Sequence, residues 1–136
     1  MPKCKVLALL LCESWLKDED RKVTLHGVFD RIIKPRSAKT HKPFFVYYKI
    51  VVEIPCKVSL RVNYPQRPAE FGWHNRFKAF HSHDSFSEPG PVQSLWPLTT
   101  VIFQQPGKYA IELIQEDGPQ LLSLASTVVV VDQEVE

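Results

Sequence analysis

A chain of 136 residues with net charge +2, 44% hydrophobic and 24% charged residues is sized for a single domain, 1–136, with a core of its own. The charge is too small for a surface that grips nucleic acid or an anionic membrane. No apolar run reaches the ~18 residues of a transmembrane helix, so no membrane is expected, and the small charge disfavours a nucleic-acid partner.

The first element is apolar. Val6 to Leu11, after Lys3 and Lys5, resembles the start of a leader peptide. The run is shorter than a usual leader core, Leu11 precedes Cys12 where a small residue belongs, and no Ala-x-Ala-like site follows. The spacing therefore predicts a buried strand over Val6–Trp15. The polar run Lys17-Asp18-Glu19-Asp20-Arg21-Lys22 then reads as a hairpin loop into a second strand, Val23–Ile33. In that strand Val28 and Ile32 fall on the phase opposite to Val23, Leu25 and Phe29, which predicts a bulge at Gly27.

Phe44 to Ile54 carries an unbroken alternating face of Phe44, Val46, Tyr48, Ile50, Val52 and Ile54. Its other face is also largely apolar, with Phe45, Tyr47 and Val51 beside Lys49 and Glu53, as in a central strand with one wet end. Lys57 to Asn63 alternates cleanly, so Val58, Leu60 and Val62 face the core while Lys57 and Arg61 face water. Phe71 to His83 alternates again, and Ser85 to Pro97 is the longest irregular candidate. Leu98–Phe103, Tyr109–Glu116 and Leu121–Val131 complete the set. Tyr109, Ile111 and Leu113 point inward, and Glu112 points outward. Val128 to Val131 is apolar on both faces and is expected to be covered on both.

This pattern gives an all-β fold: an antiparallel, Ig-like, Greek-key β-sandwich of about 7–8 strands. The three cysteines point to a reducing, cytoplasmic setting, since an odd count does not make a disulfide scaffold. Cys4 and Cys12 on one strand lie ~26 Å apart, too far to bridge.

One constellation resembles a metal site. His81 and His83 are two apart, so on a strand both point one way, with Asp84 adjacent and His74 the nearest further ligand. Zinc needs three or four ligands, and His74 faces away on a regular strand. A solvated strand end accounts for the cluster without a ligand. The expectation is no metal, no cofactor and no catalytic residue, with a metal-binding or hydrolytic enzyme built on segment 74–84 as the rival. The interleaved aromatics and cations of Phe71–Lys78 fall on opposite faces, unlike a stacking platform for single strands. No nucleophile elbow, P-loop or dinucleotide fingerprint is present. Glu13 and Asp30, carboxylates inside apolar strands, are expected to face solvent.

Two pieces together resemble a family. One is Ala8-Leu9-Leu10-Leu11-Cys12-Glu13-Ser14, leading through the charged loop into Lys22-Val23-Thr24-Leu25-His26-Gly27-Val28-Phe29-Asp30-Arg31-Ile32. The other is Phe103-Gln104-Gln105-Pro106-Gly107-Lys108-Tyr109-Ala110-Ile111-Glu112-Leu113, with Asp117-Gly118 and a valine-rich last strand. They are similar to the uncharacterised, mainly bacterial DUF6941-type domains. The resemblance implies a β-sandwich and no activity, and it supplies no catalytic residue. The function expected is a non-enzymatic binding or assembly module. Its partner is an unidentified protein or, given the apolar Phe45–Tyr47–Val51 and Val128–Val131 faces, a second copy in a homodimer.

Overall fold

The computed structural model describes residues 2–34, 43–63, 77–79, 84–98, 107–116 and 121–133, and among them every regular element is a strand. In chain order these are β1 Cys4–Lys17, β2 Val23–Phe29, β3 Arg31–Lys34, β4 Phe44–Val52, β5 Cys56–Asn63, β6 Phe77–Ala79, β7 Asp84–Phe86, β8 Gly90–Leu98, β9 Gly107–Gln115 and β10 Leu122–Gln133. They form two sheets. One is four-stranded, in the order β2-β1-β4-β8; the other is six-stranded, in the order β3-β10-β9-β5-β6, with β7 also on β5. The second sheet curls into a half-barrel.

The alternation that marks the strands also builds the core. Val46, Tyr48, Ile50 and Val52 of β4 pack with Leu11 of β1 on one side. Val58, Leu60 and Val62 of β5, Tyr109, Ile111 and Leu113 of β9, and Val129 and Val131 of β10 meet them from the other sheet. The residues expected inside on β5 and β9 are all buried. The rings of Phe29 and Phe44 meet edge to face at 5.2 Å in the same core. At one end the sheets are tied by the Lys3 N–H, which donates to Gln115 Oε1 at 2.7 Å, while Lys3 O accepts from Glu53 and Ile54.

β1 and β2 form the expected hairpin. Its loop is closed by Asp18, whose Oδ1 accepts the Lys22 N–H at 2.8 Å, and Arg21 takes a left-handed φ of 65°. Glu13 and Asp30 are exposed, as expected.

Several expectations are corrected. Val23–Ile33 is two strands, because the chain leaves one sheet at Asp30 and enters the other. The Asp30 carbonyl accepts the Val130 N–H at 2.8 Å, and β3 then runs parallel to β10, the one parallel pair among the described strands. Gly27 makes no register shift, since Cys12↔Val28 and Ser14↔His26 are in step. It is instead a left-handed residue (φ 66°) on which the Glu13 side chain lies, with two Glu13 carbons 2.9 Å from where a Cβ would stand. The irregularities fall between Val6 and Ala8 in β1 and between Ser123 and Ala125 in β10. β4 ends at Val52, so Ile54 is exposed rather than part of the inner face.

Ser85–Pro97 is not irregular. It supplies β7 and the nine-residue β8 despite Pro91 and Pro97. Those prolines are an even number of residues apart, so the missing N–H groups lie on one side of the strand and the other side stays whole for β4. Val128 to Val131 is fully covered on one face only, with Val129 and Val131 buried, Val130 half-buried and Val128 exposed.

Candidate functional site

Of the histidine cluster, His74, His81 and His83 lie outside the described residues, and Asp84 lies within them. β7 pairs with β5, which aims the Asp84 side chain across the gap toward the four-stranded sheet. There Asp84 Oδ2 accepts from the Tyr48 hydroxyl, from Trp96 Nε1 at 2.9 Å and from Ser94 Oγ at 3.5 Å. Tyr48 is fully buried. Burial first, and then the neighbouring Asp84 carboxylate, push its phenol far above the usual tyrosine range. The arrangement is a polar clip between sheets, three donors converging on one carboxylate oxygen. Among the described residues no group of three or more His, Cys, Asp or Glu is placed to hold a metal.

A second polar group lies on the far face of the six-stranded sheet. Arg61 and Glu112 are cross-strand neighbours, with Arg61 Nε 3.6 Å from Glu112 Oε1. Ser123 Oγ donates to Glu112 Oε2 at 2.9 Å, and Ser59 Oγ donates to Glu116 Oε1 at 2.7 Å. Both Arg61 and Glu112 were expected to be exposed, yet Glu112 is buried and Arg61 nearly so. The reason is that alternation reports which face a residue is on, and this face is closed off here: Ser59 and Ile114 are buried on it as well. A buried carboxylate survives because it is paired and hydrogen-bonded. Lys57, on the same phase of β5, is exposed as expected.

The outer face of the four-stranded sheet has the reverse character. Register places Val28, Cys12, Phe45 and Pro97 in one row across all four strands. The next row is Leu10, Tyr47 and Leu95. Neither row holds a charge. Val28, Leu10 and Pro97 are exposed, and Phe45 and Leu95 are half-buried. Trp15 meets the Phe45 ring edge-on at 6.4 Å. Cys12 and Tyr47 are sealed beneath their neighbours, and burial raises the pKa of both. The Tyr47 hydroxyl donates to Gln93 Oε1 at 2.8 Å. Lys49 and Lys5 stand in the rows beyond, toward the chain's start.

Sequence patterning pointed to Phe45, Tyr47 and Val51 on this face but missed Leu10, Leu95 and Val28. Val28's phase, opposite to the rest of its strand, was the available signal. Cys4, Cys12 and Cys56 are all buried thiols, a setting for packing rather than nucleophilic attack. No helix among the described residues is long and apolar enough to cross a membrane.

A family model for DUF6941, a family of unknown function, matches residues 7–128. None of the curated proteins compared matches the chain. The chain belongs to the DUF6941 family.

Proposed function

From membership in a family that carries no assigned activity, we propose that this chain is a non-enzymatic binding or assembly module of a reducing, cytoplasmic compartment. Its docking surface is the outer face of the β2-β1-β4-β8 sheet. The observation that carries this reading is the pair of charge-free rows, Val28–Cys12–Phe45–Pro97 and Leu10–Tyr47–Leu95, on a solvent-facing sheet surface. Interface centres are depleted in charge and enriched in aromatics in the same way. Exposed contiguous apolar surface on a folded chain marks a place of contact. The architecture supports it too. β1 and β4 become neighbours only after the chain has visited the other sheet, a crossing of the kind Greek-key and Ig-like recognition domains use.

The rival, a metal-dependent or hydrolytic enzyme on segment 74–84, draws no support from Asp84, whose Oδ2 is engaged by three donors between the sheets. One equivalent of metal in the purified protein, lost in His81→Ala/His83→Ala, would establish the rival.

The test of the docking face is 8-anilinonaphthalene-1-sulfonate fluorescence with dilute protein. Enhancement that disappears in a Leu10→Lys/Val28→Lys variant of unchanged circular dichroism supports the reading. No enhancement at any dilution, or enhancement that the variant leaves intact, overturns it.

A further inference from the structure

The β1–β2 hairpin does not run straight out of its sheet. β4 pairs with β1 from Cys4 to Cys12, and β1 continues to Lys17 with β2 as its partner. Extended straight, five residues at ~3.3 Å would carry the hairpin loop roughly 16 Å beyond the Cys12–Phe45 row. Yet the Arg21 carbonyl in that loop accepts from Gln93 Nε2 at 3.5 Å. Gln93 pairs with Lys49, which lies four residues the other way along β4 from Phe45. That is about 13 Å on the opposite side of the row, so a straight hairpin would leave its loop about 30 Å from Gln93. A glutamine side chain spans a small part of that gap. The hairpin therefore folds back over the outer face. The diagonal from Cys12 to Gln93, ~13 Å along the strands and two spacings of ~4.8 Å across, is also roughly 16 Å, the length of the arm.

The bend has a place. The β1–β2 ladder steps from Cys12↔Val28 to Ser14↔His26 and skips Glu13 and Gly27. Gly27 is left-handed there, with the Glu13 side chain lying across it. Beyond the bend the hairpin has two unlike sides. Ser14, Leu16, Thr24 and His26 are all exposed. On the other side Trp15 meets the Phe45 ring, and Leu25 and Val23 are half-buried. Exposure across the sheet follows the arm. In one row Leu10 of β1 is 39% exposed and Tyr47 of β4 is 9% exposed. Gln93 joins the arm's tip to β4, since its Oε1 accepts from the Tyr47 hydroxyl.

The hold is light. Trp15 remains 37% exposed, and the Gln93–Arg21 bond is exposed and long for an N–H···O bond. A two-stranded hairpin is marginal in water by itself, so the order of the arm depends on its seat on the sheet.

We propose that residues 14–26 form a hinged strap, closed in this structure over the β4–β8 half of the outer face. It swings at Glu13 and Gly27 to uncover Phe45, Tyr47 and Leu95, and the apolar surface of a partner competes with it for them. This rests on reading that face as the docking surface, of which the strap is the regulation. The half that carries Leu10 and Val28 stays open in both positions.

The experiment is amide hydrogen exchange of the full chain read by mass spectrometry, beside 8-anilinonaphthalene-1-sulfonate fluorescence, in a Trp15→Ala/Gln93→Ala variant. Both positions are exposed, and circular dichroism confirms the fold. The expected result is about tenfold faster exchange over residues 14–26, unchanged exchange over β9, and a rise in probe enhancement that disappears when Leu10→Lys and Val28→Lys are added. Gln93→Ala alone removes no apolar cover and should move both readouts the same way by less. Exchange over residues 14–26 equal to that of the unaltered chain overturns the strap and leaves the docking-surface reading to its own test. Faster exchange without a rise in probe enhancement also overturns it, because the strap then uncovers no binding surface. No probe enhancement in any of these chains removes the strap and the docking surface together.

Discussion

On the far face of the six-stranded sheet Ser59 is 4% and Glu112 7% exposed, while on the outer face of the four-stranded sheet Val28 is 55% exposed. Polar groups are covered in one region and apolar groups are wet in the other. Both regions lie on antiparallel strand pairs, and they differ in what each face has for partners. Glu112 accepts from the Ser123 hydroxyl and has the Arg61 guanidinium as an ion-pair partner at 3.6 Å, and Ser59 donates to Glu116, so these groups keep polar partners when buried. Val28 and Leu10 have only each other's neighbourhood, and among the described residues no second layer covers them. Buried polar groups with partners are architecture, whereas exposed apolar groups without a second layer mark where something docks.

The largest test of that contrast is Glu112→Ala. It removes one partner of a mostly buried pair and leaves the Arg61 guanidinium to be resolvated, for an expected loss of about 3–5 kcal/mol in urea denaturation. A loss under about 1 kcal/mol would mean that the far face is open to water and the contrast is false.

Adjacent positions on β2 sharpen it. Gly27→Ala forces a side chain into a left-handed φ and against Glu13, and should cost about 1–3 kcal/mol. An unchanged thermal midpoint would show that β2 relaxes freely and that the edge of the outer face is not rigid.

Tyr48, buried between the sheets, adds a pH dependence. Its pKa is raised in the fold, so the folded chain holds the phenol proton more tightly than the unfolded chain. The resulting stability is complete below pH ~10, where an unfolded tyrosine ionises, and is lost as pH rises above that value. The expected decline approaches ~1.4 kcal/mol per pH unit, and Tyr48→Phe should flatten it. Equal slopes for wild type and variant between pH 9 and pH 12 would show that Tyr48 is wet.

The smallest effect is expected at Val28. In dilute, monomeric protein Val28→Lys should change stability by less than about 0.5 kcal/mol, because it places a lysine where water already reaches. A loss of several kcal/mol would put Val28 inside the core and end the argument for a docking face.

Much of the frame was legible from spacing. The alternation of Val58, Leu60 and Val62, and of Tyr109, Ile111 and Leu113, identified buried faces that the structure bears out, because one-sided burial imprints period two on a strand. The charged loop after Lys17 marked a hairpin end through local backbone chemistry, whereas the expected turn at Gln105-Pro106 lies outside the described residues. The β2–β3 break was not legible. Nothing in Phe29-Asp30-Arg31 marks a change of sheet, since the break depends on Val130, far away in the chain, presenting its N–H to the Asp30 carbonyl. β8 was hidden by Pro91 and Pro97, whose effect on a ladder depends on which side of the strand is paired.

For the candidate site, the sequence by itself determined which residues share a face. Phe45, Tyr47 and Val51 alternate with the core residues of β4, and that follows from the pleat alone. Only the tertiary structure decided which faces are covered. Arg61 and Glu112 carry the pattern of solvent-facing residues and are mostly buried; Val128 carries the pattern of a covered one and is exposed. The tertiary structure also decided that Leu10, Phe45, Leu95 and Val28 belong to one surface, by setting the register of three strand pairs. Periodicity is a property of a single strand, whereas coverage and register depend on groups distant in the chain, so no local pattern encodes them.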